Sequence, residues 1–145
     1  MPVNQGFFEI INHFTRKEYG DKVYINSAFA DEYAESKYTK ALRGSLAKVK
    51  ANIVQILPCL IENATNRRWI ENKNIKHVNN ANGGWYRYDT YFSVPVKAEN
   101  EDDVWENFYM ATLVVRINDQ GLFLHDIINI KKEAHKPRES NMTTR

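Results

Sequence analysis

Apolar residues recur at helical spacing through the first half of the chain and at alternate positions through the second. Phe7, Phe8, Ile10, Ile11 and Phe14 fit one face of a short amphipathic helix. Gly20 and Asp21 interrupt that pattern, and Val23-Tyr24-Ile25 predicts a short strand or an extended lead-in. Ser27 is placed to cap a helix over 28–34. A longer helical pattern starts near Ser36 or Thr39 and runs toward Thr65. Within it Leu42, Leu46, Val49 and Ile53 share one helix face, and Ile56, Leu60 and Ile61 continue it. Pro58 lies inside the pattern, where it predicts a kink or the start of a new helix.

Residues 67–84 lose all period and are rich in Asn, Gly and cations, which predicts a long surface loop. From Trp85 the period becomes two. Strands are predicted over 85–97, 108–118 and 122–131, with a solvated acidic insertion over 98–103 and a turn at 118–121. The tail from residue 134 is polar and predicts fraying. Helices followed by an antiparallel meander define an α+β domain, with the helical block on one face of the sheet. The expected organisation is one domain over 1–145. It has an N-terminal helical or extended segment to residue 35, helices over 36–66, a basic loop over 67–84, an antiparallel sheet over 85–133 and a tail over 134–145.

Composition adds limits. A chain of 145 residues with 43% hydrophobic and 26% charged residues can bury a core without metals or disulfides. One cysteine, Cys59, leaves no disulfide framework and no cysteine-based zinc site, and its apolar neighbours predict a buried side chain. Apolar runs fall short of a membrane span, and residues 1–6 lack a signal-peptide pattern, so a cytoplasmic protein without membrane partners is expected. A net charge of +2 does not by itself mark a nucleic-acid binder.

The histidines His13, His77, His125 and His135 form no metal-ligand spacing, so no metal and no cofactor is expected. Gly83-Gly84 lacks the pattern of a phosphate loop, and there is no nucleophile elbow. The informative feature is a cluster of cations and aromatics. Arg67, Arg68, Lys73, Lys76 and His77 precede Trp85, Tyr86, Arg87 and Tyr88. Cations suit phosphates and flat rings suit unstacked bases, so the cluster fits a nucleic acid; the same residues also fit a solvated loop with Trp69 and Trp85 packed into the core. On the second predicted strand Thr112, Val114 and Arg116 share a face, and Arg116 interrupts an apolar run. Hairpin register decides what joins it: a two-residue turn is expected to pair it with His125, and a three-residue turn with a bulge to bring Asp126 instead. Metal-free RNA cleavage needs a base, an acid and cationic donors for the phosphorane. His77, Arg87, Thr112 and Arg116 make such a set if the loop folds over the sheet.

Short motifs from about residue 36 to 133 carry a family resemblance. They are Ser36-Lys37-Tyr38-Thr39, 62–69 with Arg67-Arg68-Trp69, Glu71-Asn72-Lys73, Lys76-His77, 84–89 with Trp85-Tyr86-Arg87-Tyr88, Ala111 to Ile117, and 124–133 with His125-Asp126. Together they resemble domains of phage and mobile-element polyvalent and MuF-type proteins. Those domains are grouped with the barnase–EndoU–colicin–RelE-like (BECR) nuclease superfamily. The resemblance implies helices followed by a curved antiparallel sheet, a toxin-like metal-independent ribonuclease, an RNA substrate such as tRNA, and a cognate antitoxin or immunity protein. It implies Lys76, His77, Thr112 and Arg116 as catalytic positions. Trp85, Tyr86, Arg87, Tyr88 and Arg68 are the candidates for substrate binding, and His125 and Asp126 are further candidates. His125 stands where relatives carry Tyr. A non-catalytic module that binds nucleic acid or protein is the alternative.

Overall fold

The computed structural model describes residues 10–73, 81–97 and 104–137. Its architecture is α+β: short helices pack on a curled, half-barrel sheet with strand order β1-β2-β6-β5-β4-β3. The strands are β1 (Ile10–Thr15), β2 (Lys22–Asn26), β3 (Thr65–Ile70), β4 (Trp85–Lys97), β5 (Val104–Asn118) and β6 (Gly121–Pro137). The helices are α1 (Phe29–Glu35), α2 (Lys37–Ala41), α3 (Ser45–Asn52) and α4 (Leu57–Glu62), with a 3-10 turn at Ile53–Ile56. Neighbouring strands run antiparallel, except that β2 pairs parallel to β6 at Val23–Leu122 and Tyr24–Phe123.

The predicted alternation holds on β4 and through the core part of β5, and bulges interrupt it on β6. On β4, β5 and β6 one face carries Tyr88, Leu113, Val115, Leu124 and Ile127, all buried in the core. The α4 residues Leu57, Leu60 and Ile61 join that core, as do Phe29 and Tyr33 of α1. Each such side chain removed from water stabilises the fold by about 1.5–3 kcal/mol. Thr90, buried among them, donates to the Leu60 carbonyl at 2.8 Å, so its hydroxyl is satisfied.

Several expectations change. The predicted helix over 7–14 is, in its described part, strand β1, paired with β2 from Thr15–Lys22 to Ile10–Asn26. Isoleucine and phenylalanine suit a pleated surface, and the hairpin ladder outweighs the helical spacing. Ser27 is exposed and does not cap α1; the cap position is Ala28, whose N–H is taken by the Asn26 side chain at 3.0 Å. The long helical pattern is broken into pieces. Leu42 is extended and Gly44 takes φ +68, which separates α2 from α3, and Pro58 lies in the first turn of α4. Cys59 faces outward and is exposed, because Leu57, Leu60 and Ile61 take the buried face. The predicted basic loop begins as strand β3, so Arg67 and Arg68 are strand residues. Strand β6 runs to Pro137, past the start of the predicted tail. The acidic insertion over 98–103 lies outside the described residues.

The hairpin between β5 and β6 has a two-residue turn, with Asn118 opposite Gly121. That register pairs Arg116 with Phe123, and not with His125 as expected. The ladder then steps from Val115–Leu124 to Val114–Asp126. His125 is the extra residue of a β-bulge, and the bulge turns it to the Arg116 side next to Asp126. Strand β2 leaves β6 after Phe123, and α1 packs against β6 beyond it. At that edge the Ile130 N–H donates to the Tyr38 hydroxyl at 2.8 Å, which occupies one backbone donor.

Candidate functional site

The bulge opens onto a cleft of about 810 Å³. Its floor is the sheet face away from the core: Trp85 and Arg87 of β4, Val114 of β5, and His125, Asp126 and Ile128 of β6. Ser36, Lys37 and Tyr38 line one wall, where α1 gives way to α2. The opposite wall is Ile70 at the end of β3 with Glu71, Asn72 and Lys73 after it. Alternation explains the floor: Trp85 and Arg87 point away from the core because Tyr86 and Tyr88 point into it.

His125 is held from two sides. Its ring meets the Trp85 ring edge-on, with centroids 5.1 Å apart and planes at 63°. Its Nδ1 lies 3.3 Å from Arg116 Nη1 and 3.7 Å from Glu32 Oε1. Arg116 donates to both Glu32 oxygens, at 2.9 and 3.0 Å. Arginine only donates and an ionised carboxylate only accepts. A neutral imidazole can therefore accept at Nδ1 from Arg116, and a protonated one can donate from Nδ1 to Glu32. The pair gives both charge states of His125 a partner, which is what a proton-transfer group needs. For Glu32, burial pushes the carboxyl up, but hydrogen bonds with His125 and Arg116 outweigh burial and hold it below the ordinary carboxylate value.

Beside His125, Asp126 is buried and paired with Lys50 of α3 at 2.6 Å. Lys50 is 1% exposed, and its ammonium sits 4.5 Å from the Tyr33 ring centroid and 4.8 Å from that of Tyr38. Burial lowers the Lys50 pKa, while Asp126 and its hydrogen bond oppose the shift. The aromatic rings supply a second attraction for the ammonium. On the β3 side, Arg68 pairs with Asp89 at 3.1 Å, and the Asn66 side chain donates to the same carboxylate at 2.8 Å. Asn72 Oδ1 accepts from the Trp85 indole at 3.3 Å, which ties the far wall to the floor.

The predicted site residues divide clearly. Trp85, Arg87, His125 and Asp126 come together on the cleft. Arg116 is 4% exposed and committed to Glu32, so it reaches the cleft through His125 and does not face a ligand. Thr112 is buried at 5% exposure, four residues along β5 from Arg116. That separation is about 13 Å on a strand, so the two do not share one phosphate. Tyr86 and Tyr88 belong to the core side, and Tyr88 is fully buried beneath the Arg16 guanidinium, 4.2 Å from its ring centroid. Arg68 sits opposite Arg87 in the β3–β4 ladder and is neutralised by Asp89. Lys76 and His77 lie outside the described residues.

Glu32, Tyr38, Lys50 and Asn72 are the contributors that sequence reasoning missed. Glu32 and Lys50 lie 84 and 76 residues from their partners, and no local pattern encodes those contacts. Among the described residues no three His, Cys, Asp or Glu side chains are grouped to hold a metal ion, and no helix is long and apolar enough to cross a membrane. No family model, no curated protein and no solved structure matches the chain.

Proposed function

We propose that this chain is a toxin-like endoribonuclease of the BECR type, acting at the cleft over the β5–β6 bulge. The observation that supports it most is the His125 imidazole, set between Glu32 and Arg116 on the floor of a cleft that also carries Arg87, Lys73 and Lys37. Short helices packed on a curled, mostly antiparallel sheet agree with the family resemblance at the level of α+β architecture, with strands β1 and β2 added ahead of the helices.

In the proposed reaction the RNA 2′-hydroxyl attacks its neighbouring phosphate. The hydroxyl proton passes to a base, the O2′–P bond forms, the P–O5′ bond breaks, and an acid protonates the departing 5′ oxygen. The products are a 2′,3′-cyclic phosphate and a 5′-hydroxyl. His125 takes one of the two proton roles, and His77 is the candidate for the other. Arg87 and Lys73 offset the phosphorane charge, and Trp85 offers an aromatic edge to a base. Arg116 acts as a positioning residue in this scheme: it orients His125 and leaves phosphate binding to Arg87.

The test is incubation of the purified chain with tRNA and with a mixed-sequence RNA in excess EDTA. Cleavage is expected from the wild type, with turnover reduced at least 100-fold in His125→Ala and binding retained. RNA that is bound but left intact by the folded wild type points to the binding-module alternative and contradicts the nuclease.

A further inference from the structure

We infer that the cleft selects guanine, with Asp126 as the residue that reads the base. This rests on the nucleic-acid function proposed above and adds the identity of the base. Asp126 is 4% exposed and lines the cleft floor. Both of its donors go to one oxygen: Lys50 Nζ at 2.6 Å and the Ile127 N–H at 2.8 Å meet Oδ1. Among the described residues Oδ2 receives no donor. A carboxylate oxygen accepts and cannot donate, so the group that meets it must bring a hydrogen. A phosphate cannot do this, and like charge repels it from this end of the cleft.

The register across the floor shows how a nucleotide fits. Arg87 is opposite Val114 on one side, and Asp126 is opposite Val114 on the other. Adjacent strands are about 4.8 Å apart, so the backbones that carry Arg87 and Asp126 are separated by roughly 10 Å across an apolar residue. That span matches a nucleotide with its base lying over Val114, its phosphate toward Arg87 and its pairing edge toward Asp126. Ile128 extends the apolar floor. His125, one residue from Asp126, turns its ring against Trp85, two residues from Arg87 on β4.

Base chemistry then decides among the four. Guanine presents two adjacent donors, N1–H and the N2 amino group, to a carboxylate. Adenine and cytosine place a ring nitrogen acceptor next to their amino group. Uracil flanks its single N3–H with two carbonyl oxygens. Each of these adjacent acceptors repels the carboxylate, and a missing donor leaves a buried charged acceptor unpaired.

Calorimetric titration of the wild-type chain with the four nucleoside 3′-monophosphates tests this without requiring turnover. Guanosine 3′-monophosphate should bind roughly tenfold or more tightly than the other three. Inosine 3′-monophosphate, which lacks the N2 amino group, should fall between, and the N1-methylguanosine analogue should lose the advantage. Equal binding of all four overturns guanine selection and leaves a nucleotide site standing. No binding of any of them overturns the proposed function and the inference with it. Asp126→Asn alone strands a buried lysine, so the variant of choice is Asp126→Asn with Lys50→Met, checked for folding by circular dichroism. Loss of the guanosine preference is expected, and a preference that persists in the folded double variant overturns Asp126 as the reader.

Discussion

Glu32 carries two tasks at once: it neutralises a nearly buried arginine and it offers an acceptor to a cleft histidine. Replacing it with glutamine keeps the shape and removes the charge. Arg116 would then be buried without a counter-ion, and Glu32→Gln should lose about 2 kcal/mol of stability near neutral pH, measured by urea denaturation. The pH dependence follows from the lowered Glu32 pKa. A carboxylate more acidic in the folded state stabilises the fold above its unfolded pKa, and that contribution fades as pH falls through the folded value. The gap between wild type and Glu32→Gln should therefore be full at neutral pH and close below the ordinary carboxylate range. A gap that widens in acid would contradict the ion pair. Turnover should fall even when assayed well below the midpoint of unfolding, because His125 loses its carboxylate partner.

Among the elements, the bulge in β6 and the glycine entering β4 shape the cleft most. Gly84 has φ +91, and a Cβ there would lie 2.7 Å from the Trp69 indole nitrogen and 2.8 Å from the Ile70 carbonyl oxygen. Gly84→Ala should cost about 2 kcal/mol or more, read as a lowered unfolding midpoint, because backbone strain and a backbone clash coincide. Tyr38→Phe removes the acceptor for the Ile130 N–H and should cost about 1 kcal/mol by the same measurement. Strands β4 and β5 are legible because the two faces of each differ in residue type, even though Ala111 to Arg116 of β5 are buried on both faces. The bulge at His125 is not legible, since an extra residue leaves the local composition unchanged and shows only in pairing. Strand β1 hides for a different reason: five apolar residues in eight satisfy a helical wheel as well as a pleat, and the partner strand decides. Gly44 and Leu42, which split the long helical pattern, are visible as residues but not as a break, because a single glycine within a helix costs only about 1 kcal/mol.

At the scale of the whole molecule, charge is local. The net charge is +2, yet Lys37, Lys73 and Arg87 converge on one cleft while Arg16, Arg68 and Arg116 are each paired with acids. Affinity for single-stranded RNA should then depend on salt only modestly, with a log–log slope of about −2 for three phosphate contacts. A filter-binding series across salt concentrations checks this, and a slope several-fold steeper would place the binding surface elsewhere. The same pairing explains how much of the site was legible. Trp85, Arg87, His125 and Asp126 were marked as candidates by residue type and alternation, and the sheet gathers them. Arg116 was marked as a ligand group because it interrupts an apolar strand, but its partner lies on α1, a contact made only by the folded chain. The central claim is that His125 transfers a proton in metal-free RNA cleavage, and the most direct measurement is the identity of the RNA ends after incubation in EDTA. Products bearing 2′,3′-cyclic phosphate and 5′-hydroxyl ends, formed by wild type and absent with His125→Ala, are the predicted result. Intact RNA with a folded wild-type chain, or equal cleavage by His125→Ala, would contradict it.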